Sequence, residues 1–330
     1  MKKLIKPFKI ILPLLLLAQT SLFAQNENDN GSKKKYEFVK TKSVNKSYNV
    51  SSSDKLNIQN SFGKVEIHTW NKNEIKVDVS IEVSANTNDL AQKVLDKISV
   101  AESQSGKEIS FKTSINNINN SKNEKSSMSI DYSIYMPANN PLKVKNDFGA
   151  TVVPDYRGEV DLTSKFGSLT AGDLSDVKNI NVEFGKAKFN NITDGSITIK
   201  YSKAEFGKLS GKIDLKFEFC SGIVMSLDNS LAGMDVKSSY STVNMKPSSG
   251  LSASYDISTS FGSLKNRTAI KFEGDDEQDR RGPKFDFRYN GKSGNGAVQI
   301  KVKTSFGDII LGEPEPGDMK DKSKNKSRTS

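Results

Sequence analysis

The sequence predicts an all-β chain, a single-chain β-solenoid with rungs of about 18–21 residues. Three observations carry this. An aromatic followed by a small residue recurs at Phe148-Gly149, Phe166-Gly167, Phe184-Gly185, Tyr201-Ser202, Phe219-Cys220, Tyr240-Ser241, Phe261-Gly262 and Phe306-Gly307. The intervals are 18, 18, 17, 18, 21, 21 and 45 residues, and a period just under 20 marks stacked repeats. Within each period, apolar and polar residues alternate as in short half-buried strands. Hydrophobic residues make up only 35% of the 330 residues, which suits rungs with little inside and much outside.

Residues 1–24 read as a secretory signal. Lys2, Lys3, Lys6 and Lys9 form the positive start, Ile10 to Ala18 the apolar stretch, and Leu22-Phe23-Ala24 leads to cleavage before Gln25. The apolar run is shorter than the ~20 residues of a membrane span, so no span is expected after cleavage. The expected location is extracytoplasmic: periplasm, outer surface or secreted. Loss of those four lysines takes the formal charge from +10 to +6. That is too diffuse for a nucleic-acid footprint.

Residues 25–35 and 313–330 are polar and aperiodic and read as a flexible leader and a disordered tail. Residues 36–147 read as an N-terminal β region that caps the solenoid. Strands are expected at Val65–Trp70, Ile75–Val83, Ile109–Thr113 and Ser129–Tyr135. Asn71-Lys72-Asn73 reads as a hairpin loop between the first two, and Asn116 to Lys125 as a polar loop. One helix is expected near 89–98, capped by Asn88 or Asp89, with Leu90, Val94, Leu95 and Ile98 as its packing stripe.

Residues 148–312 are the solenoid repeats. Ile180, Val182 and Phe184 alternate with Asn181 and Glu183, so Phe184 is expected inside. After Gly185 the inward set becomes Ala187 and Phe189, a shift that Gly185 accommodates as a bulge or corner. Ile197, Ile199 and Tyr201, then Ala204 and Phe206, repeat the scheme. Stacking at about 4.8 Å predicts an internal ladder of Phe148, Phe166, Phe184, Tyr201, Phe219, Tyr240 and Phe261, with Phe306 in the closing copy. The pair appears once earlier, at Phe62-Gly63. An insertion near 265–296 precedes re-entry at Val298–Val302.

The repeats SFGKVEI (61–67), DFGATVV (147–153), KFGSLTA (165–171), SFGSLKN (260–266) and SFGDIIL (305–311), with the lead-in YMPANNPL (135–142), resemble the bacterial putative-adhesin family, also called the toastrack domain. The resemblance covers about residues 50–312. It implies an extracytoplasmic β-solenoid without known catalytic residues, and it carries over no functional residue, because the shared motif is structural.

The residues themselves point to no catalytic, cofactor or metal site. One Cys excludes a disulfide framework, and one His leaves any Ser-His-Asp chemistry to His68. Cys220 occupies the small corner position and is expected to be structural. Outward charges such as Glu183, Lys186, Lys188, Lys200, Lys203, Glu205, Lys208 and Glu218 alternate in sign, as a solvated face does. A polysaccharide lyase would need clustered acids for calcium and a basic residue. A glycosidase would need a facing acid pair, and spacing singles out none. Asp275 to Arg281 lacks the spacing of a calcium loop and reads as a solvated insertion. The expected function is therefore an exported, non-enzymatic adhesin or cell-envelope binding module without cofactors. Its expected partner is a protein or glycan of the envelope or exterior. The alternative is a periplasmic scaffold or sensor in an envelope-stress response; a polysaccharide-active enzyme ranks below both.

Overall fold

The computed structural model describes residues 36–119, 121–274 and 285–318. The signal, the leader, the Asp275–Arg281 run and the tail beyond 318 lie outside the described residues. Each rung has two arms. The first arm leads into the aromatic-small corner, the second leaves it, and a tight return turn begins the next rung.

First arms stack in the order Ile98–Ser105, Glu108–Ile115, Lys55–Ser61, Leu142–Asp147, Val160–Lys165 and Val177–Glu183. Next come the later halves of three long strands, Lys186–Lys200, Lys203–Glu218 and Ile223–Ser239. Val298–Ser305, Ala253–Ser260, Asp286–Lys292 and Phe272–Gly274 complete the stack. Second arms run parallel to this series: Phe38–Asn49, Glu74–Ala85, Ser126–Pro137, Val65–Trp70, Ala150–Val153 and Ser168–Leu174. The early halves of the same long strands follow, then Val243–Pro247, Ile309–Leu311 and Leu264–Asn266. Pairing between neighbouring rungs is parallel throughout the middle of the stack; antiparallel pairs appear only at its ends.

The core lies between the two arms. Ile180, Val182, Ala187, Phe189 and Ile192 are buried within one rung, and Ile197, Ile199, Ala204, Phe206 and Leu209 in the next, so the predicted alternation of the aliphatic positions is the observed one. Two residues before the corner, the inward position is polar toward the N-terminal end: Asn60, Asn146 and Ser164 are buried there. Asn146 Nδ2 donates to Gly63 O at 3.0 Å and Ala150 O at 3.1 Å, and Asn60 Nδ2 donates to Ile130 O at 2.9 Å. These amides satisfy corner carbonyls that would otherwise be buried without partners. Thr259 and Thr304 do the same for Gly262 O and Gly307 O nearer the other end.

The N-terminal end is closed by antiparallel strands and by the helix Asn88–Asp96, whose Leu90, Ala91, Val94 and Leu95 are buried against Glu74–Ala85 and Phe38–Asn49. The cap is Thr87, one residue before the expected Asn88 or Asp89. Its side chain accepts the Leu90 N–H at 3.2 Å. Ile98 leaves the helix to start a strand, because it pairs with Ile115. Asn71–Asn73 does not close a hairpin. Val65–Trp70 pairs with Ser126–Pro137, and that strand separates it from Glu74–Ala85.

The C-terminal end departs from chain order. The last rung, Val298–Leu311, lies between the Gly233–Pro247 rung and the Ala253–Asn266 rung. Within the 265–296 insertion, Asp286–Lys292 pairs antiparallel with Ala253–Ser260. Both partners of the inserted rung are paired strands, so its ladder is satisfied on both sides. The antiparallel segment then covers the edge left by Ala253–Ser260. Glu315 and Asp318, within the segment read as tail, ion-pair with Arg267, with Asp318 at 2.7 Å.

Glycine at the corner is set by close approach. A Cβ on Gly167 would lie 2.0 Å from Gly149 O, and one on Gly185 would lie 2.0 Å from Gly167 O. Gly167→Ala is expected to part the corner stack and cost about 1–3 kcal/mol. Urea unfolding of the variant measures this, and an unchanged midpoint would contradict the tight contact.

Candidate functional site: an exposed ladder of aromatic rings

The corner aromatics form a ladder, and it is on the outside. Phe148, Phe166, Phe184, Tyr201, Phe219, Tyr240, Phe261 and Phe306 are 46% to 54% exposed, which corrects the expectation of an internal ladder. The reason is backbone conformation. All eight have φ between 49° and 60°, the left-handed region, as does Phe62 at 65°. An alternation of in and out assumes an extended chain; a left-handed residue turns its side chain out of that sequence. The one-residue shift falls on the aromatic, and the following glycine keeps the rungs close. Each aromatic N–H still continues the ladder to the next rung, as Phe166 N–H to Glu183 O at 3.0 Å and Tyr201 N–H to Glu218 O at 2.9 Å show.

The rings follow the stacking of the rungs. The order is Phe62, Phe148, Phe166, Phe184, Tyr201, Phe219, Tyr240, Phe306, Phe261 and Phe285. Phe306 thus lies between Tyr240 and Phe261, not after it. Centroids are 4.7–5.1 Å apart and interplanar angles are 1–8°, rising to 20° at Phe285. Successive rings scarcely rotate, so the row is straight, about 43 Å long at the strand spacing. Both faces of each interior ring are covered by its neighbours, and the edges meet solvent. Phe285 could not be found from the repeat, because it immediately precedes the antiparallel return strand and Asp286, not a small residue, follows it.

At three corners the small residue has a side chain, and it reaches back one rung. Ser202 Oγ accepts Gly185 N–H at 2.9 Å and donates to Lys200 O at 2.6 Å. Ser241 Oγ accepts Cys220 N–H at 2.8 Å and donates to Ser239 O at 2.9 Å. Cys220 is buried, and its Sγ donates to Ile199 O at 3.1 Å. Burial pushes its thiol pKa up, away from the nucleophilic thiolate. His68 stacks on Tyr135 at 4.6 Å, with Nε2 3.9 Å from Glu66.

Charges beside the row pair across rungs: Lys165 with Glu183 at 2.9 Å and Lys200 with Glu218 at 3.0 Å. The Lys165 hydrogen bond lowers the Glu183 pKa, and hydrogen bonds from Lys216 and then Lys200 lower that of Glu218. Two cavities lie elsewhere. One of about 390 Å³ is lined by Leu251, Tyr255 and Ile270, and one of about 370 Å³ by Trp70, Asp155, Arg157 and Asp173. Among the described residues no group of three or more His, Cys, Asp or Glu is placed to hold a metal, and no helix is long and apolar enough to cross a membrane.

No family model and no curated protein matches the chain. Solved bacterial structures are similar to it. A "putative cell adhesion protein" from Clostridium sporogenes shares 16% identity over 83% of this chain and 100% of its own, with TM-score 0.25. A "putative adhesin" from Bacteroides fragilis shares 12% over 82% and 97%, with TM-score 0.36. A "putative lipid binding protein" from Parabacteroides distasonis shares 10% over 82% and 97%, with TM-score 0.30. With every score below 0.5, the fold assignment rests on the strand register.

Phe184→Ala removes a half-exposed ring and its stacking on Phe166 and Tyr201, so its cost is expected at about 1–3 kcal/mol, below the about 3–5 kcal/mol of Phe217→Ala in the core. Equilibrium unfolding of the two variants side by side tests the assignment, and equal losses would return Phe184 to the interior. Cys220 should resist a thiol reagent in the native chain and react fully in denaturant, while Cys220→Ser, matching Ser202 and Ser241, should shift stability by less than about 1 kcal/mol.

Proposed function

We propose that the chain is an exported, non-enzymatic binding module of the cell envelope, adhesin-like in character. Its contact surface is the ring ladder. The observation that carries this reading is the size and continuity of the exposed row. Ten rings, each about half exposed, present on the order of 900 Å² of aromatic surface, at roughly 200 Å² per whole ring. A monomer's largest apolar patch is typically about 300–600 Å², and burying one side of a standard protein interface takes about 800 Å². The cross-rung ion pairs hold the flanks in place and leave the acids beside the row occupied. The signal-like residues 1–24 support export, and the family that the repeats resemble supports an extracytoplasmic role.

Protease shaving of intact cells, followed by fractionation, tests it. Release of the folded 36–318 portion from the cell surface is the expected outcome. Retention in the periplasm would move the chain to the scaffold or sensor role, and recovery from the cytoplasm would overturn export.

A further inference from the structure

We propose that the aromatic row docks the chain lengthwise onto an anionic phospholipid surface. This rests on the reading of the row as the contact surface and names what it contacts.

Geometry and charge together select this occupant. The row is straight and stands on the outer corner where the two arms meet. A lipid surface can receive a ridge of this length and yield around it, and aromatic side chains favour the boundary between headgroups and acyl chains. The flanks supply the complementary charge. On the second-arm side, Lys186, Lys188 and Lys203 are exposed beside Phe184 and Tyr201. On the first-arm side, Lys237, Lys301 and Lys303 are exposed beside Tyr240 and Phe306. None of the six makes an ion pair among the described residues. Glu183 is occupied by Lys165, Glu218 by Lys200 and Lys216, and Asp308 by Lys265 at 3.5 Å, while Glu205 and Asp235 stand opposite Lys188 and Lys301 in the ladder and offset two of the six lysines. The free charge at the ridge is therefore positive, and it sits on both sides of the apolar line. Basic residues flanking an apolar face are what anionic headgroups attract.

Other occupants fit less well. Sugar rings stack on aromatic faces, and in the interior of this row neighbouring rings cover both faces. A second copy would have to meet ridge with ridge, two outer corners touching along a line. The two cavities, about 390 and 370 Å³, are too small to receive a row of this length.

The test is flotation of the purified chain, with residues 1–24 absent as in the exported form, on vesicles of phosphatidylethanolamine and phosphatidylglycerol and on neutral phosphatidylcholine vesicles. The chain is expected to float with the anionic vesicles and to be released progressively as salt rises. Combining Phe184→Ser, Tyr201→Ser and Phe219→Ser should lower the bound fraction at least about ten-fold. Lys186→Glu with Lys203→Glu should lower it several-fold and flatten the salt dependence. Tyr201→Trp keeps a ring in the row. Its fluorescence, read as the difference from the parent chain with Trp70 alone, should shift to the blue on vesicles and be quenched by brominated acyl chains. That readout does not depend on a multiple variant folding. The proposal falls if the chain does not float, if the triple serine variant floats equally well, or if the difference emission of the Tyr201→Trp variant is unmoved. It falls equally if sedimentation shows a dimer that the triple variant dissolves, or if polysaccharide retains the chain through the row in place of vesicles. A chain displayed on cells that fails to float overturns the lipid assignment and leaves the contact-surface reading; a chain that floats but stays in the cytoplasm overturns export and leaves the lipid assignment.

Discussion

Everything in this molecule is organised by the corner, where rungs approach so closely that the backbone leaves room for almost nothing. The carbonyl of one corner residue points at the α-carbon of the next, about 2 Å from where a side chain would begin. Glycine meets that constraint by having no side chain. Ser202 and Ser241 do carry a side chain at this position, and each hydroxyl accepts an N–H from the preceding rung's corner. The residue before the small one then bears the turn. A left-handed conformation costs a non-glycine residue roughly 1–2 kcal/mol, and a stacked ring pair returns roughly 0.5–1.5 kcal/mol. The two nearly offset, so the corner is held chiefly by the parallel ladders on either side, and the aromatic is placed outside at little net cost.

That arrangement separates two jobs which a globular core combines. Aliphatic residues between the arms hold the stack together, while the aromatics are released to the surface in a single file. The buried amides of Asn60 and Asn146 and the cross-rung ion pairs keep adjacent rungs in register. Since register is what aligns the rings, the length and straightness of the ridge follow from the interior hydrogen bonds as much as from the rings.

The ends explain the irregular parts of the chain. A parallel stack exposes an unpaired edge at each end. Here the helix Asn88–Asp96 with its antiparallel strands covers one, and the Asp286–Lys292 strand covers the other. Placing the last rung inside the stack leaves the insertion free to form that cover, and Phe285 extends the row by one ring as a consequence.

Much of this was legible in the sequence by itself. The period between aromatics determined the solenoid, the alternation Ile180-Val182 then Ala187-Phe189 determined the buried faces, and the shift between those pairs marked a corner. Cys220 was readable as structural because it occupies a position shared with glycine and serine. The direction of the rings was not readable. The shift could sit on the aromatic or on the glycine, and glycine is the usual bearer of a left-handed turn; only the backbone of the folded stack, with positive φ at the aromatic and not at the glycine, assigns it to the aromatic. The position of the Val298–Leu311 rung was likewise hidden, because every rung presents nearly the same edge and local pattern cannot say which edge is free. Periodicity therefore determined the repeat unit and its inner face, while contacts between rungs far apart in the chain decided the order of the stack and turned its aromatics toward solvent.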